Sequence, residues 1–221
     1  PSSSDGGYSV IDYKAVDPSL GTWEHVEALG GDFELMFDLV INHLSSRSRE
    51  FQEYLRGNPA FADFFIAVEP GADLSAVFRP RALPLTTRFE TDRGPVQVWT
   101  TFSEDQIDLN FANPEVLLYM AEVLLFYLSR GASIIRLDAI AYLWKEPGTS
   151  CLHLPQTHTM VKLLRDLVDH AAPHAKILTE TNVPHRENLS YFGDGNDEAH
   201  MVYNFALPPL TAHALLSGDA S

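Results

Sequence analysis

FELMFDLVINH, residues 33–43, is a compact apolar run that turns polar at its end. A short continuous run of this kind fits a β-strand buried on both faces, as in a parallel sheet, with Asp38, Asn42 and His43 as its late polar residues. The same shape recurs downstream. ASIIRLDAIAY (132–142) leads into Arg136 and Asp138, and AKILTETNVPH (175–185) leads into Glu180 and Asn182; HMVYNFAL (200–207) is a fourth candidate strand. Helical patterns separate these runs. NPEVLLYMAEVLLFYLSRG (113–131) has Asn113 at the N-cap, Pro114 and Glu115 in the first turn, Arg130 at the negative end and Gly131 beyond it. It is apolar nearly all round, which predicts a buried helix. LPQTHTMVKLLRDLVDHAAPH (154–174) reads as an amphipathic helix stopped by Pro173, and PPLTAHALLSG (208–218) begins another. Strand and helix in alternation predict a parallel α/β sheet.

Upstream, TWEHVEALGGD (22–32) predicts a short helix capped by Thr22 and ended by Gly30 and Gly31. Residues 44–105 behave differently. They scatter aromatics and Pro59, Pro70, Pro80, Pro84 and Pro95 with no sustained period, and they are too long for an ordinary loop, so an inserted subdomain is expected.

The charge narrows the function classes. Thirty Asp and Glu against 15 Lys and Arg leave −15, a field that repels phosphate backbones and anionic membrane surfaces. Neither nucleic acid nor membrane is expected as a partner, and any anion handled must meet a local basic cluster. The basic stretch Arg79, Arg81, Arg88 and Arg93 is the place to look for one. The single cysteine, Cys151, rules out an intrachain disulfide framework and a multi-cysteine zinc site, and a reducing cytoplasm is the simplest home. PSSSDGGYSV at the start has no signal-peptide pattern, and Val116 to Leu128, interrupted by Glu122, is shorter than the roughly 20 residues of a bilayer crossing. His170 and His174 have helical metal spacing, but Pro173 breaks the helix between them; GDGND at 193–197 lacks the acid spacing of a calcium loop. No metal or cofactor is expected. GxSxG, P-loop and dinucleotide fingerprints are all absent from the sequence.

In a parallel α/β barrel or sheet the carboxyl ends of neighbouring strands share one rim, where ligands bind. Acids at successive strand ends therefore converge on one pocket. Two converging carboxylates suggest retaining glycosyl transfer, in which one attacks the anomeric carbon and the other protonates the leaving oxygen, roughly 5 to 5.5 Å apart.

FDLVINH, IIRLDAIAY and ILTETNV resemble three signature regions of the α-amylase superfamily of glycoside hydrolases and transglycosidases, in the right order and at the right strand ends. DGGYSVIDYKAVDPSLGTWEHVEAL (5–29) is similar to the segment after the second barrel strand of that family. FRPRALPLTTRF (78–89), VWTTFSEDQIDLNF (98–111), KEPGTSC (145–151) and YNFALPPLTAHAL (203–215) resemble its sucrose phosphorylase branch, and ETNVPHRENLSYFGDG (180–195) looks more like the relatives that take sucrose 6-phosphate or glucosylglycerate. The resemblance implies a partial (β/α)₈ barrel. Residues 1–43 would run from the loop after strand two through strand three, 44–105 would be the inserted subdomain, and 106–221 would carry strands four to six with their helices.

It also implies roles. Asp138 would be the nucleophile, Arg136 would favour its charged form, and Glu180 would be the acid/base. Asp5 and His43 would grip hydroxyls of a glucosyl ring, Tyr8 and Phe102 would wall it, and Gln106 and Tyr142 would lie at the rim. Arg81 would meet phosphate, with Arg79 as a structural or second contact. The expected reaction is transfer of an α-glucosyl group from a sucrose-like glucoside to inorganic phosphate through a covalent intermediate. A hydrolase or transglucosidase of the same superfamily is the alternative. The family's fourth signature, a His-Asp pair after strand seven, does not occur in these 221 residues. The expectation is therefore a piece of a longer protein; a catalytically dead sugar-binding remnant is the reading if the chain is complete.

Overall fold

Residues 1–219 are described by a computed structural model, whose elements follow the alternation of the sequence. In chain order they are α1 (Trp23–Leu29), β1 (Leu35–Val40), β2 (His43–Ser45), α2 (Arg49–Leu55), β3 (Thr86–Thr91), β4 (Gly94–Trp99), β5 (Gln106–Asp108), α3 (Pro114–Ser129), β6 (Ala132–Asp138), α4 (Pro155–Ala171), β7 (Lys176–Thr179), α5 (His185–Leu189), β8 (Met201–Val202) and α6 (Leu207–Ser217). Caps define the helices as their side-chain chemistry requires. Asn113 accepts a hydrogen bond from the Glu115 amide at 3.0 Å to start α3, and α4 stops at Ala171, two residues before Pro173.

β1, β6, β7 and β8 form one parallel sheet in that order. With α3 and α4 as crossovers this is the arrangement of a partial (β/α)₈ barrel. The register sets which side chains are neighbours: Asp38 lies beside Arg136, Val40 beside Asp138, and Leu137 beside Thr179. Because side chains alternate along a strand, Asp38, Arg136 and Asp138 share one face of the sheet. The other face packs on helices: Phe37 meets Trp23 of α1 and Tyr127 of α3 at ring-centroid distances of 5.9 and 5.5 Å.

Burial along β1 rises toward its carboxyl end and is less uniform than the apolar run predicts: Met36 is 48% exposed, while Leu39, Val40 and Ile41 are buried. Helix α3 buries Val116, Met120, Val123, Leu124 and Tyr127 but leaves Leu118 56% exposed, so it is not enclosed all round. The fourth strand is also shorter than its apolar run. After β8 the Tyr203 amide makes one more ladder bond to Thr179, and then the Asn204 side chain accepts from the Ala206 amide at 3.2 Å, turning the chain into α6.

Between β2 and β5 the chain makes an excursion. β2 and β5 pair antiparallel, His43 against Asp108 and Ser45 against Gln106, and β3 and β4 form a hairpin turning between Thr91 and Gly94. Phe51 of α2 packs against Phe65 and Phe89 at 5.0 and 4.8 Å, and this aromatic group is continuous with the main core. Val77, Leu85, Trp99 and Cys151 make a separate small cluster. Among the described residues no helix is long and apolar enough to cross a membrane, and no group of three or more His, Cys, Asp or Glu is placed to hold a metal ion.

Candidate active site

The carboxyl ends of β1, β6 and β7 bring the polar residues of the three runs together. Asp138 is the last residue of β6, and the Glu180 amide still bonds the Leu137 carbonyl at 2.9 Å, extending the ladder one step beyond β7. Ala139 then turns left-handed at φ 52°, a conformation that costs a non-glycine residue on the order of 1 kcal/mol or more. The turn has a purpose in the geometry: it aims the Ala139 N–H at Glu180 Oε2, 3.1 Å away.

Arg136 Nη1 donates to Asp38 Oδ1 at 2.5 Å and to Asp138 Oδ1 at 2.9 Å. Its guanidinium also lies over the rings of Tyr8 and Tyr203, 5.6 and 5.4 Å from their centroids. Burial works against its charge, but the Asp38 hydrogen bond and the two carboxylates outweigh that and hold it cationic. Asp138 is affected in the opposite sense. Burial, followed by repulsion from Glu180, pushes its carboxyl up to about 6, and Arg136 offsets this only in part. Arg136 alone does not keep Asp138 in the ordinary carboxylate range.

His43, at the start of β2, is buried, and burial pushes its imidazole down to about 4, so it is neutral at pH 7. The Asn42 amide approaches its Nδ1 at 3.2 Å, and its Nε2 lies 3.0 Å from the Tyr8 carbonyl and 3.0 Å from Gln106 Nε2. Gln106 donates to Asp5 Oδ2 at 3.0 Å, which also accepts from Arg81 Nη2 at 3.2 Å. The Phe102 ring sits between those of His43 and Tyr142, at 5.2 and 5.1 Å, with the Arg81 guanidinium 5.7 Å from its centroid.

These side chains enclose a cavity of about 600 Å³ lined by Asp5, Tyr8, His43, Arg81, Phe102, Gln106, Arg136, Asp138, Tyr142 and Glu180, together with Phe78 and Asn182. All ten candidates from the sequence thus face one space. The basic stretch does not stay together. Arg79 donates to the Leu83 carbonyl, Arg88 pairs with Glu90 on its own strand, and Arg93 donates to the Gly57 carbonyl, so Arg81 alone of the four reaches the cavity.

Lys145 and Asp108 are not among the candidates drawn from the sequence, yet they form a buried pair behind the cavity wall. Lys145 Nζ contacts Asp108 Oδ2 at 2.6 Å, Asn42 Oδ1 at 2.7 Å and the Tyr142 carbonyl at 2.6 Å, and the two side chains are 4% and 0% exposed. Asp108 accepts further from the Thr101 amide, the Thr101 hydroxyl and the Asn42 amide. The available signal was weak: Lys145 ends the apolar AYLW and is followed by Glu146, and Asp108 stands between Ile107 and Leu109. Lys145→Met in the full-length protein leaves Asp108 buried without its cation. Urea denaturation should show a loss of about 3–5 kcal/mol; adding Asp108→Leu removes the unpaired charge and should recover part of it, the rest being the cost of leaving the Thr101 and Asn42 donors unpaired.

The family described as alpha amylase, catalytic domain, matches residues 1–218. The chain belongs to the α-amylase catalytic-domain family. Within that family it is 61% identical to a glucosylglycerate phosphorylase of Spirochaeta thermophila over 221 residues, which is all of this chain and 38% of the relative. It is 35% identical to a sucrose phosphorylase of Agrobacterium vitis over 232 residues, 99% of this chain and 46% of the relative. Among solved structures, the sucrose 6F-phosphate phosphorylase of Thermoanaerobacter thermosaccharolyticum superposes with a TM-score of 0.86 at 27% identity, over 98% of this chain and 46% of that one. The chain spans under half the length of each of these members of the α-amylase family.

Proposed function

We propose that the cavity is the glucosyl-handling part of a retaining α-glucoside phosphorylase, with glucosylglycerate as the donor and inorganic phosphate as the acceptor. The observation that carries the reading is the convergence of two strand-end acids, Asp138 and Glu180, and one arginine, Arg81, on a single cavity. The donor follows from likeness: the glucosylglycerate phosphorylase relative is 61% identical, against 35% for the sucrose phosphorylase.

The chemistry proceeds in two displacements. A carboxylate oxygen of Asp138 attacks the anomeric carbon as its bond to the glycerate oxygen breaks, and the proton of the Glu180 carboxyl moves to that oxygen. Glycerate leaves, and glucose is held as a β-linked ester of Asp138. A phosphate hydroxyl then gives its proton to Glu180, the phosphate oxygen attacks the same carbon, and Asp138 departs as carboxylate. The product is α-glucose 1-phosphate. Arg136 accompanies the charge on Asp138 in both steps, while neutral His43 and the Asp5 carboxylate offer partners for ring hydroxyls.

Arg81 tests the acceptor. In the full-length protein Arg81→Ala should lower kcat/KM for phosphate by about 10- to 100-fold, the size of a lost charge-assisted hydrogen bond, and leave hydrolysis of the glucosyl ester by water little changed. An equal loss of both reactions would point to the hydrolase or transglucosidase reading. The donor is tested by comparing phosphorolysis of glucosylglycerate, sucrose, sucrose 6-phosphate and glucosylglycerol, with glucosylglycerate expected to have the highest kcat/KM.

A further inference from the structure

Beside the cavity lies a carboxylate that the mechanism does not use. Asp105 immediately precedes Gln106 in the chain, and five neutral donors hold it: Ser3 Oγ at 2.5 Å and Ser4 Oγ at 2.7 Å on Oδ2, and Ser45 Oγ at 3.0 Å, the Ser46 amide at 3.0 Å and Ser46 Oγ at 2.6 Å on Oδ1. Among the described residues it forms no ion pair. Partial burial opposes its charge, but the hydroxyls of Ser3 and Ser46 and their neighbours hold it down at about 2, so the clasp is anionic throughout the working pH range.

The clasp joins three segments, each next to a cavity residue. Ser4 precedes Asp5, Ser45 follows His43 by two residues, and Asp105 precedes Gln106. The first of these segments needs holding. Asp5, Gly6 and Gly7 run through positive φ values of 54°, 62° and 119°, a course that costs energy at the non-glycine Asp5. All three residues are exposed, so no apolar burial anchors the turn. What fixes it is polar. Ser3 and Ser4 are tied to Asp105 before it, and after it Ser9 closes the loop through the Ser3 amide, 3.0 Å from its carbonyl, and through its hydroxyl, 2.8 Å from that of Ser4.

We propose that Asp105 is a positioning residue: its serine clasp holds the Asp5 turn against the cavity, and through Asp5 it sets Arg81 and Gln106. This rests on the reading of the cavity as a glucoside site. The test uses full-length Asp105→Asn and, separately, Ser3→Ala/Ser4→Ala, which cuts the turn's two ties to Asp105 together with the Ser3–Ser45 and Ser4–Ser9 hydroxyl contacts; Ser9→Ala, which loses only the last of these, is the control. Three quantities are compared with wild type: amide hydrogen exchange over residues 3–9, the Kd for glucose 1-phosphate by calorimetry, and the split of donor KM against kcat. Faster exchange over that segment is expected in both variants, with Kd and KM raised about tenfold and kcat changed by less than threefold. Exchange that stays at the wild-type rate, or a faster exchange that leaves Kd and KM unmoved, would overturn the proposal. Should Asp105→Asn fail to fold, the serine pair read against the Ser9→Ala control decides the matter. A wild type that binds glucose 1-phosphate but phosphorolyses none of the glucosides would sink the proposed activity and leave the exchange and Kd comparison to judge the clasp.

Discussion

Asp138→Asn in the full-length protein should lower kcat/KM for phosphorolysis by about 10⁵-fold or more, the scale seen when a covalent nucleophile is removed. Asparagine fills the same volume beside Arg136 and Ala139, so circular dichroism and the melting temperature report whether the fold survives; what is lost is the anionic carboxylate that attacks the anomeric carbon. Azide supplied to Asp138→Gly with an activated α-glucosyl donor should give β-glucosyl azide, because the small anion enters from the side the carboxylate had occupied. Recovery of α-linked product would reject Asp138 as the nucleophile. The same residue sets a pH limb. Its carboxyl, pushed up to about 6 chiefly by burial and then by Glu180, must be ionised to attack. Above about pH 6 the carboxylate predominates and this limb is flat; below it kcat/KM falls about tenfold per unit as the proton returns. An acid limb centred near 4 would mean that burial and Glu180 do not raise the Asp138 carboxyl.

Glu180→Gln is expected to cost about 10²–10⁴-fold on a glycerate leaving group, the range of general acid catalysis. The diagnostic is how that loss depends on the leaving group. With α-glucosyl fluoride, whose fluoride departs without a full proton transfer, the first displacement should recover most of its rate. A loss of the same size on both donors would reduce Glu180 to a structural partner of the Ala139 amide. Because that amide donates to Glu180 Oε2 from the residue after Asp138, the two acids are coupled through the backbone as well as through space, and double replacement should cost less than the product of the single losses.

The strands β1, β6 and β7 were legible because a buried strand leaves an unbroken apolar run, and the acids at their ends stood out against it. Asn113 and Pro173 were legible because caps and breakers act within one turn of their own position. Other features depend on partners that local sequence does not carry. The exposure of Met36 and Leu118 depends on what covers a face, not on the apolar period. Arg79, Arg81, Arg88 and Arg93 are neighbours in sequence, but Arg79 turns onto the Leu83 carbonyl of its own loop, and the β3–β4 hairpin carries Arg88 and Arg93 away to Glu90 and the Gly57 carbonyl. Lys145 and Asp108 are far apart in the chain and looked like ordinary charges until the fold brought them together. The direction of the Asp138 shift was also out of reach, since Arg136 two residues away argued for a lowered value and burial decided otherwise.

The β2–β5 ladder works as a neck. It ties the chain where the excursion leaves and returns, and its own residues His43 and Gln106 are among those facing the cavity. Everything the excursion adds, including Phe78 and Arg81, is delivered from beyond that tie, whereas Asp138 and Glu180 are carried by the sheet. The two walls of the cavity are therefore carried by different parts of the chain, packed on one core. Under the proposed function, insertions, deletions or exchanges inside the excursion would reshape the side of the cavity that carries Arg81 while Asp138 and Glu180 stay at their strand ends, a modular arrangement in which a new specificity could be grafted onto an unchanged reaction centre.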